Sequence, residues 1–134
     1  MKQFFIALPT FPLEAMINYE RTEEFKKDLK KLLKRFHSLN EDLETVKKAV
    51  IELRHLKNID NLATFEITGF NSEITTFWKI KKFACKSLKG SGVKSGIRVI
   101  YRYQEKEKMV LFLEIYYKGD KENEDKKRLK KYLL

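Results

Sequence analysis

The chain of 134 residues contains one cysteine, two prolines, five glycines, two histidines and no long apolar run. Each scarcity removes something. Cys85 alone closes no intrachain disulfide, and with His37 and His55 far apart it offers no metal-ligand spacing. The expectation is a reducing, cytoplasmic setting, with no metal and no cofactor. So little proline and glycine leaves scant room for linkers or low-complexity segments. The opening MKQFFIALPTFP has only five consecutive apolar residues, Phe4 to Leu8, before Pro9. That is too short for the centre of a signal peptide and far too short to cross a membrane. Residues 1–15 therefore read as an N-terminal extension, either a strand or an arm.

What the chain does have is charge and aromatic rings. Hydrophobic residues make up 43% of it, with ten Phe and six Tyr, which excludes a disordered polyelectrolyte. A length of 134 residues suits one domain, 1–134, with a real core. The formal net charge of +10 favours a polyanionic partner: nucleic acid, an acidic membrane surface or an acidic protein.

Periodicity gives an α+β order. Thr22 is placed to cap a helix whose apolar face is Phe25, Leu29, Leu32, Leu33 and Phe36, with acids early and bases late. Asn40 is expected to cap a second helix facing inward through Leu43, Val46, Val50, Leu53 and Leu56. The short link between them predicts an antiparallel helix hairpin. Beyond residue 60 the period becomes two, and ATFEITGF, ITTFWKIKKF, GIRVIYRY and MVLFLEIYY read as strands. QEKEK joins the last two, and the most apolar register pairs Tyr103 with Met109, Tyr101 with Leu111, Val99 with Leu113 and Ile97 with Ile115. Asp120 is expected to cap a closing helix docked by Leu129, Tyr132 and Leu133.

The strand TTFWKIKKF sets Trp78 and Ile80 on one face and Lys79 and Lys81 on the other. If the apolar pair faces the helices, the lysines point away, beside Arg98 and Arg102. Lys82, Lys86, Lys89 and Lys94 then fall near the rim. Like charges so crowded are unfavourable unless an anion meets them, and a phosphate is the natural one. Gly90, Gly92 and Gly96 let the intervening loop approach a ligand closely, although LKGSGVKSG is not a phosphate-cradling P-loop. The plainer account pairs Arg98 with Glu114 and treats the lysines as edge protection.

The order of helix hairpin, Trp-Lys-x-Lys strand, SGIRVIY, apolar strand and YYKGDKENEDKKRLKKYL resembles the RelE/ParE superfamily of type II toxin–antitoxin toxins. The likeness spans residues 17–133. It implies a helix hairpin packed on a small, mainly antiparallel sheet with a C-terminal helix, and a partner antitoxin. For a RelE-type member it implies a metal-independent endoribonuclease that cuts mRNA at the ribosome. For a ParE-type member it implies an inhibitor of DNA gyrase without nuclease activity. A relative that only binds RNA or an antitoxin is the third alternative.

On the resemblance, Lys79, Lys81 and Arg98 are the catalytic set. Lys82, Lys86, Lys94, Arg102, Lys118 and Lys121 are the further RNA-binding positions. Such a nuclease uses the RNA 2′-OH as nucleophile. Lys79 or Lys81 is the candidate base, since crowded cations favour a neutral lysine, and Arg98 would stabilise the phosphorane. The Tyr or His-Tyr pair of many relatives is absent from KGDKENED, which leaves Tyr116, Tyr117 and Tyr132 as neighbouring tyrosines. His37 and His55 read as helix-terminal or surface residues, Cys85 as a half-buried thiol, and Trp78, Tyr101 and Tyr103 as core.

Overall fold

Apolar residues alternate through four segments and recur at helical spacing through two, and the chain folds accordingly. The computed structural model describes residues 16–134, so the expected strand or arm in residues 1–15 lies outside the described residues. In order come β1 (Asn18–Arg21), α1 (Glu23–Leu33), α2 (Leu39–Val46), a π-helical stretch (Lys47–Glu52) and α3 (Leu53–His55). Then follow β2 (Thr64–Ile67), β3 (Thr76–Ile80), β4 (Ile97–Gln104), β5 (Met109–Tyr117) and α4 (Lys126–Lys130). The strands form one sheet in the order β1-β5-β4-β3-β2. Its pairs are antiparallel except β1 with β5, which is parallel.

Thr22 caps α1, its hydroxyl accepting the main-chain N–H of Phe25 at 3.0 Å. The second helix departs from expectation. It begins after Ser38, not at Asn40, because Ser38 and Asp42 tie it to the loop before β4. Ser38 Oγ donates to Asp42 Oδ2 at 2.6 Å and accepts from Ser87 N–H at 2.8 Å. The π-helical stretch then turns the buried stripe, since its bonds span five residues. Ile51, five after Val46, is fully buried, whereas Leu53 and Leu56 are only half-buried.

Trp78 and Ile80 of β3, and Ile97, Val99, Tyr101 and Tyr103 of β4, face the helices as expected. The hairpin register does not hold. Tyr103 lies opposite Val110 and Tyr101 opposite Phe112, and then the register slips so that Ile100 faces Glu114 and Arg98 faces Tyr116. Leu113 is the extra residue of a β-bulge. The bulge places Phe112 and Ile115 in the helix-side core, and Leu113 and Tyr116 on the outer face. Turn-proximal pairing chose Val110 and Phe112 for the core over Met109 and Leu111, and a bulge is not written in an alternating pattern.

That outer face carries a second apolar cluster of Phe77, Ile100, Leu113, Tyr116 and Leu129. Leu129 arrives on α4, which Asp125 caps, accepting from Lys127 and Arg128 N–H at 3.0 and 3.1 Å. Asp120, the expected cap, instead meets Arg35 at 2.6 Å. The helix is therefore short, and Leu133 stays exposed.

His55 ends α3, as a helix-terminal residue was expected to, but it is half-buried and not at the open surface. Its ring stacks on Tyr103 with centroids 4.0 Å apart, meets the edge of Trp78, and its Nε2 lies 2.8 Å from the Tyr101 hydroxyl. Burial pushes the imidazole down from 6.5 to about 4, with the Arg54 and Lys108 cations adding to the effect. The unfolded chain thus binds the extra proton between those values, and this residue's contribution to stability is lost as pH falls from 6.5 through about 4. Proton NMR titration should find the His55 ring neutral at pH 6 with a midpoint near 4; a midpoint near 6.5 would contradict this packing.

Candidate anion-binding site

The outer-face positions of β3 and β4 meet at the edge of the apolar cluster. Lys79 pairs across the sheet with Ile100, and Ile80 with Val99, so Lys81 and Arg98 fall side by side just beyond. Arg98 Nη1 donates to the main-chain carbonyl of Lys81 at 2.9 Å, which holds the guanidinium against that strand. Lys118 is set alongside by its main-chain N–H, which donates to Gly96 O at 2.8 Å. Gly96 has φ +85°, and a Cβ there would press on the Tyr117 ring at 3.1 Å. Lys79, Lys81, Arg98 and Lys118, with Glu122 and Asn123, line one cleft of about 140 Å³.

Sequence reasoning missed the group that answers this charge. Glu124 lies 2.5 Å from Lys79 Nζ, and their side chains are only 8% and 14% exposed. Burial alone would push the Glu124 carboxyl up, but the bond and charge from Lys79 reverse this and hold it below the usual carboxylate range. An acid in KGDKENED was visible in the sequence; which acid reaches Lys79 depends on the bulge and on the Asp125 cap.

Tyr116, opposite Arg98, is buried on this same face, and its hydroxyl has no hydrogen-bond partner among the described residues. Burial pushes that hydroxyl up, with Glu124 and Glu114 adding, so it stays protonated at neutral pH. Tyr117 points the other way, against Phe36, with Arg35 over its ring.

The remaining predicted cations do not share the cleft. Arg102 lies beyond Ile100, where its Nη1 donates to Tyr132 O at 2.8 Å and its Nη2 to Gln104 at 3.2 Å. Lys121 pairs with Glu114 and sits over the Tyr116 ring. The cross-strand Arg98–Glu114 pair accordingly does not form: Glu114 is turned to Lys121 and to the N–H of Asp125, 2.9 Å away. Lys86 pairs with Glu41 near the start of α2. Lys82 and Lys94 are exposed. None of Gly90, Gly92 and Gly96 lines the cleft. Cys85 is buried, which pushes its thiol up and away from reactivity.

Among the described residues no three His, Cys, Asp or Glu side chains are grouped to hold a metal ion. No described helix is long and apolar enough to cross a membrane.

No protein-family model matches this chain, and no curated protein does. Among solved structures it is similar to an archaeal RelE–RelB complex from Pyrococcus horikoshii OT3. The identity is 14% and the TM-score 0.47, over 77% of this chain and 96% of that chain. A likeness of this size carries no argument about activity, so the chemistry rests on the residues of the cleft.

The cleft thus gathers four bases and the carboxylate of Glu122, with one of the bases, Lys79, paired to Glu124. Replacing the paired carboxylate, Glu124→Gln, should leave Lys79 free for an external anion. Heparin affinity should rise severalfold and the slope of log affinity against log salt should steepen by about 1. An unchanged affinity in the folded variant would mean that Lys79 does not face a ligand.

Proposed function

We propose that the protein is a RelE-like toxin of a type II toxin–antitoxin system, a metal-independent endoribonuclease that cuts mRNA at the ribosome and is held inactive by a cognate antitoxin. The observation that carries this reading is the convergence of Lys79, Lys81, Arg98 and Lys118 on one cleft of the outer sheet face. The sequence resemblance supports it independently.

RNA brings its own nucleophile. In the proposed reaction the 2′-oxygen attacks phosphorus and the bond from phosphorus to the 5′-oxygen breaks, leaving a 2′,3′-cyclic phosphate and a 5′-hydroxyl. Lys81 is the base proposed to take the 2′-OH proton, because Lys79 is already committed to Glu124. Arg98 binds the non-bridging oxygens, where two parallel N–H donors fit the developing charge. Lys79 joins them once the incoming phosphate displaces Glu124. Lys118 stabilises the leaving oxygen, and the protonated Tyr116 hydroxyl supplies its proton when the segment that bears Glu124 lifts. An acidic antitoxin would neutralise the same cations, in keeping with a chain of net charge +10.

One observation favours a second reading. With Lys79 sealed by Glu124 and the Tyr116 hydroxyl buried, the face as it stands is built to dock a partner. That suits a ParE-like inhibitor of DNA gyrase, or a relative that binds RNA or antitoxin without cleaving.

Toeprinting of translating ribosomes separates these. Wild-type protein should give cleaved mRNA, and Lys81→Ala and Arg98→Ala should each lower the cleavage rate by about 10²-fold or more. Equal cleavage by folded variants would refute the catalytic assignment. Inhibited supercoiling with intact mRNA would establish the gyrase reading instead.

A further inference from the structure

Phe65 is 42% exposed, the sole aromatic among the large, well-exposed apolar side chains of the described residues. It lies on the edge strand β2, directly opposite Lys79, so its ring stands on the outer face one strand spacing, about 4.8 Å, from β3. Lys81 Nζ sits 4.7 Å from the ring centroid. A second cleft, of about 270 Å³, opens here, lined by Phe65, Thr68, Lys79, Lys81 and Lys126 and also by the carboxylates Glu66 and Glu124, the latter already paired with Lys79. Lys79 and Lys81 line both this cleft and the one holding Arg98 and Lys118. The two amines are therefore a common wall between a cationic cleft and an aromatic one. A bare aromatic on an edge strand is a liability for a soluble sheet, where charge or proline is the usual protection.

Resting on the nuclease reading above, we infer that Phe65 is the stacking platform for a base adjoining the scissile linkage. A nucleotide has a flat π face and an anionic phosphate joined by a short sugar. Seated here, it lays the base on Phe65, keeps Lys81 between ring and backbone, and delivers the phosphate to Arg98. The occupant to which the site is fitted is thus single-stranded RNA, because stacking requires an unpaired base. Phe65 binds and positions; it takes no part in proton transfer. Stacking is tolerant of base identity, so the contact would fix the reading frame of the backbone in the cleft without choosing a sequence.

The test is binding of a fluorescent single-stranded RNA oligonucleotide carrying one uncleavable 2′-deoxy linkage, followed against salt. Phe65→Ala should weaken binding about tenfold or more and leave the salt slope unchanged, whereas Lys81→Ala should lower the slope by about 1. Phe65→Leu, which keeps apolar bulk without a π face, should behave as Phe65→Ala, and Phe65→Trp should bind as wild type. With an abasic nucleotide at the stacked position, wild type and Phe65→Ala should bind equally. Unchanged affinity in Phe65→Ala, or full affinity in Phe65→Leu, would overturn the inference while leaving the nuclease reading in place. If the wild-type chain binds no RNA but self-associates through this edge, and Phe65→Ala abolishes that association, the inference falls, while the nuclease reading is decided by the toeprinting outcome.

Discussion

A single extra residue in β5 organises this molecule. The bulge at Leu113 sends consecutive side chains, Leu113 and Glu114, to the outer face and breaks the ladder at the main-chain groups beside it. Those groups are taken up by side chains from far along the chain. Leu113 O accepts from Arg128 at 2.9 Å, Ile115 N–H donates to Asp28 at 3.3 Å, and Asp28 and Arg128 meet at 2.6 Å. Charge-assisted bonds of this kind are worth about 1.5–3 kcal/mol each. Glu114 receives Lys121 and the N–H of Asp125. The strand defect is thereby the anchor for the C-terminal segment. It fixes where Asp125 starts α4 and so where Glu124 falls.

The consequence is a sheet with two occupied faces. The helix side is an ordinary aromatic and aliphatic core. The outer side is apolar only as far as Leu129 and Tyr132 cover it, and cationic at the open end of β3 and β4. There the chain meets its own charge with Glu124. Removing one partner of a shielded ion pair leaves the other uncompensated and is costly, whereas exchanging one anion for another leaves the pairing intact. A phosphate entering beside Arg98, as proposed above, would be such an exchange. The internal carboxylate thus holds Lys79 in a shielded pair on this face.

Much of this was legible in the residues. The period change near residue 60, the face alternation in TTFWKIKKF and the Thr22 cap all lead directly to what is observed. So does the grouping of Lys79, Lys81 and Arg98, because alternation along neighbouring strands fixes which side chains share a face. The rest depended on non-local partners. The register turned on a bulge stabilised by Asp28 and Arg128, residues 100 apart in sequence. Arg102 left the group because Ile100 and the C-terminal Tyr132 carbonyl lie in between. β1 is four residues with polar ends, and only pairing with β5 makes it a strand. His55 looked peripheral because helical position says nothing of a sheet supplying Trp78, Tyr101 and Tyr103 around it. Nor did the pattern around Thr64 to Ile67 mark Phe65 as outward-facing until its pairing with Lys79 was known.

The central claim is that the anion site is the outer sheet face and not the lysine-rich surfaces of α1 and α2. Titrating isotopically labelled protein with a short single-stranded RNA and mapping amide shifts by NMR addresses this directly. The account predicts shifts centred on Lys79, Lys81, Arg98 and Lys118, spreading to Glu124 as its segment is displaced. Shifts confined to Lys26, Lys27, Lys30 and Lys34, with the β3 and β4 amides unmoved, would contradict it.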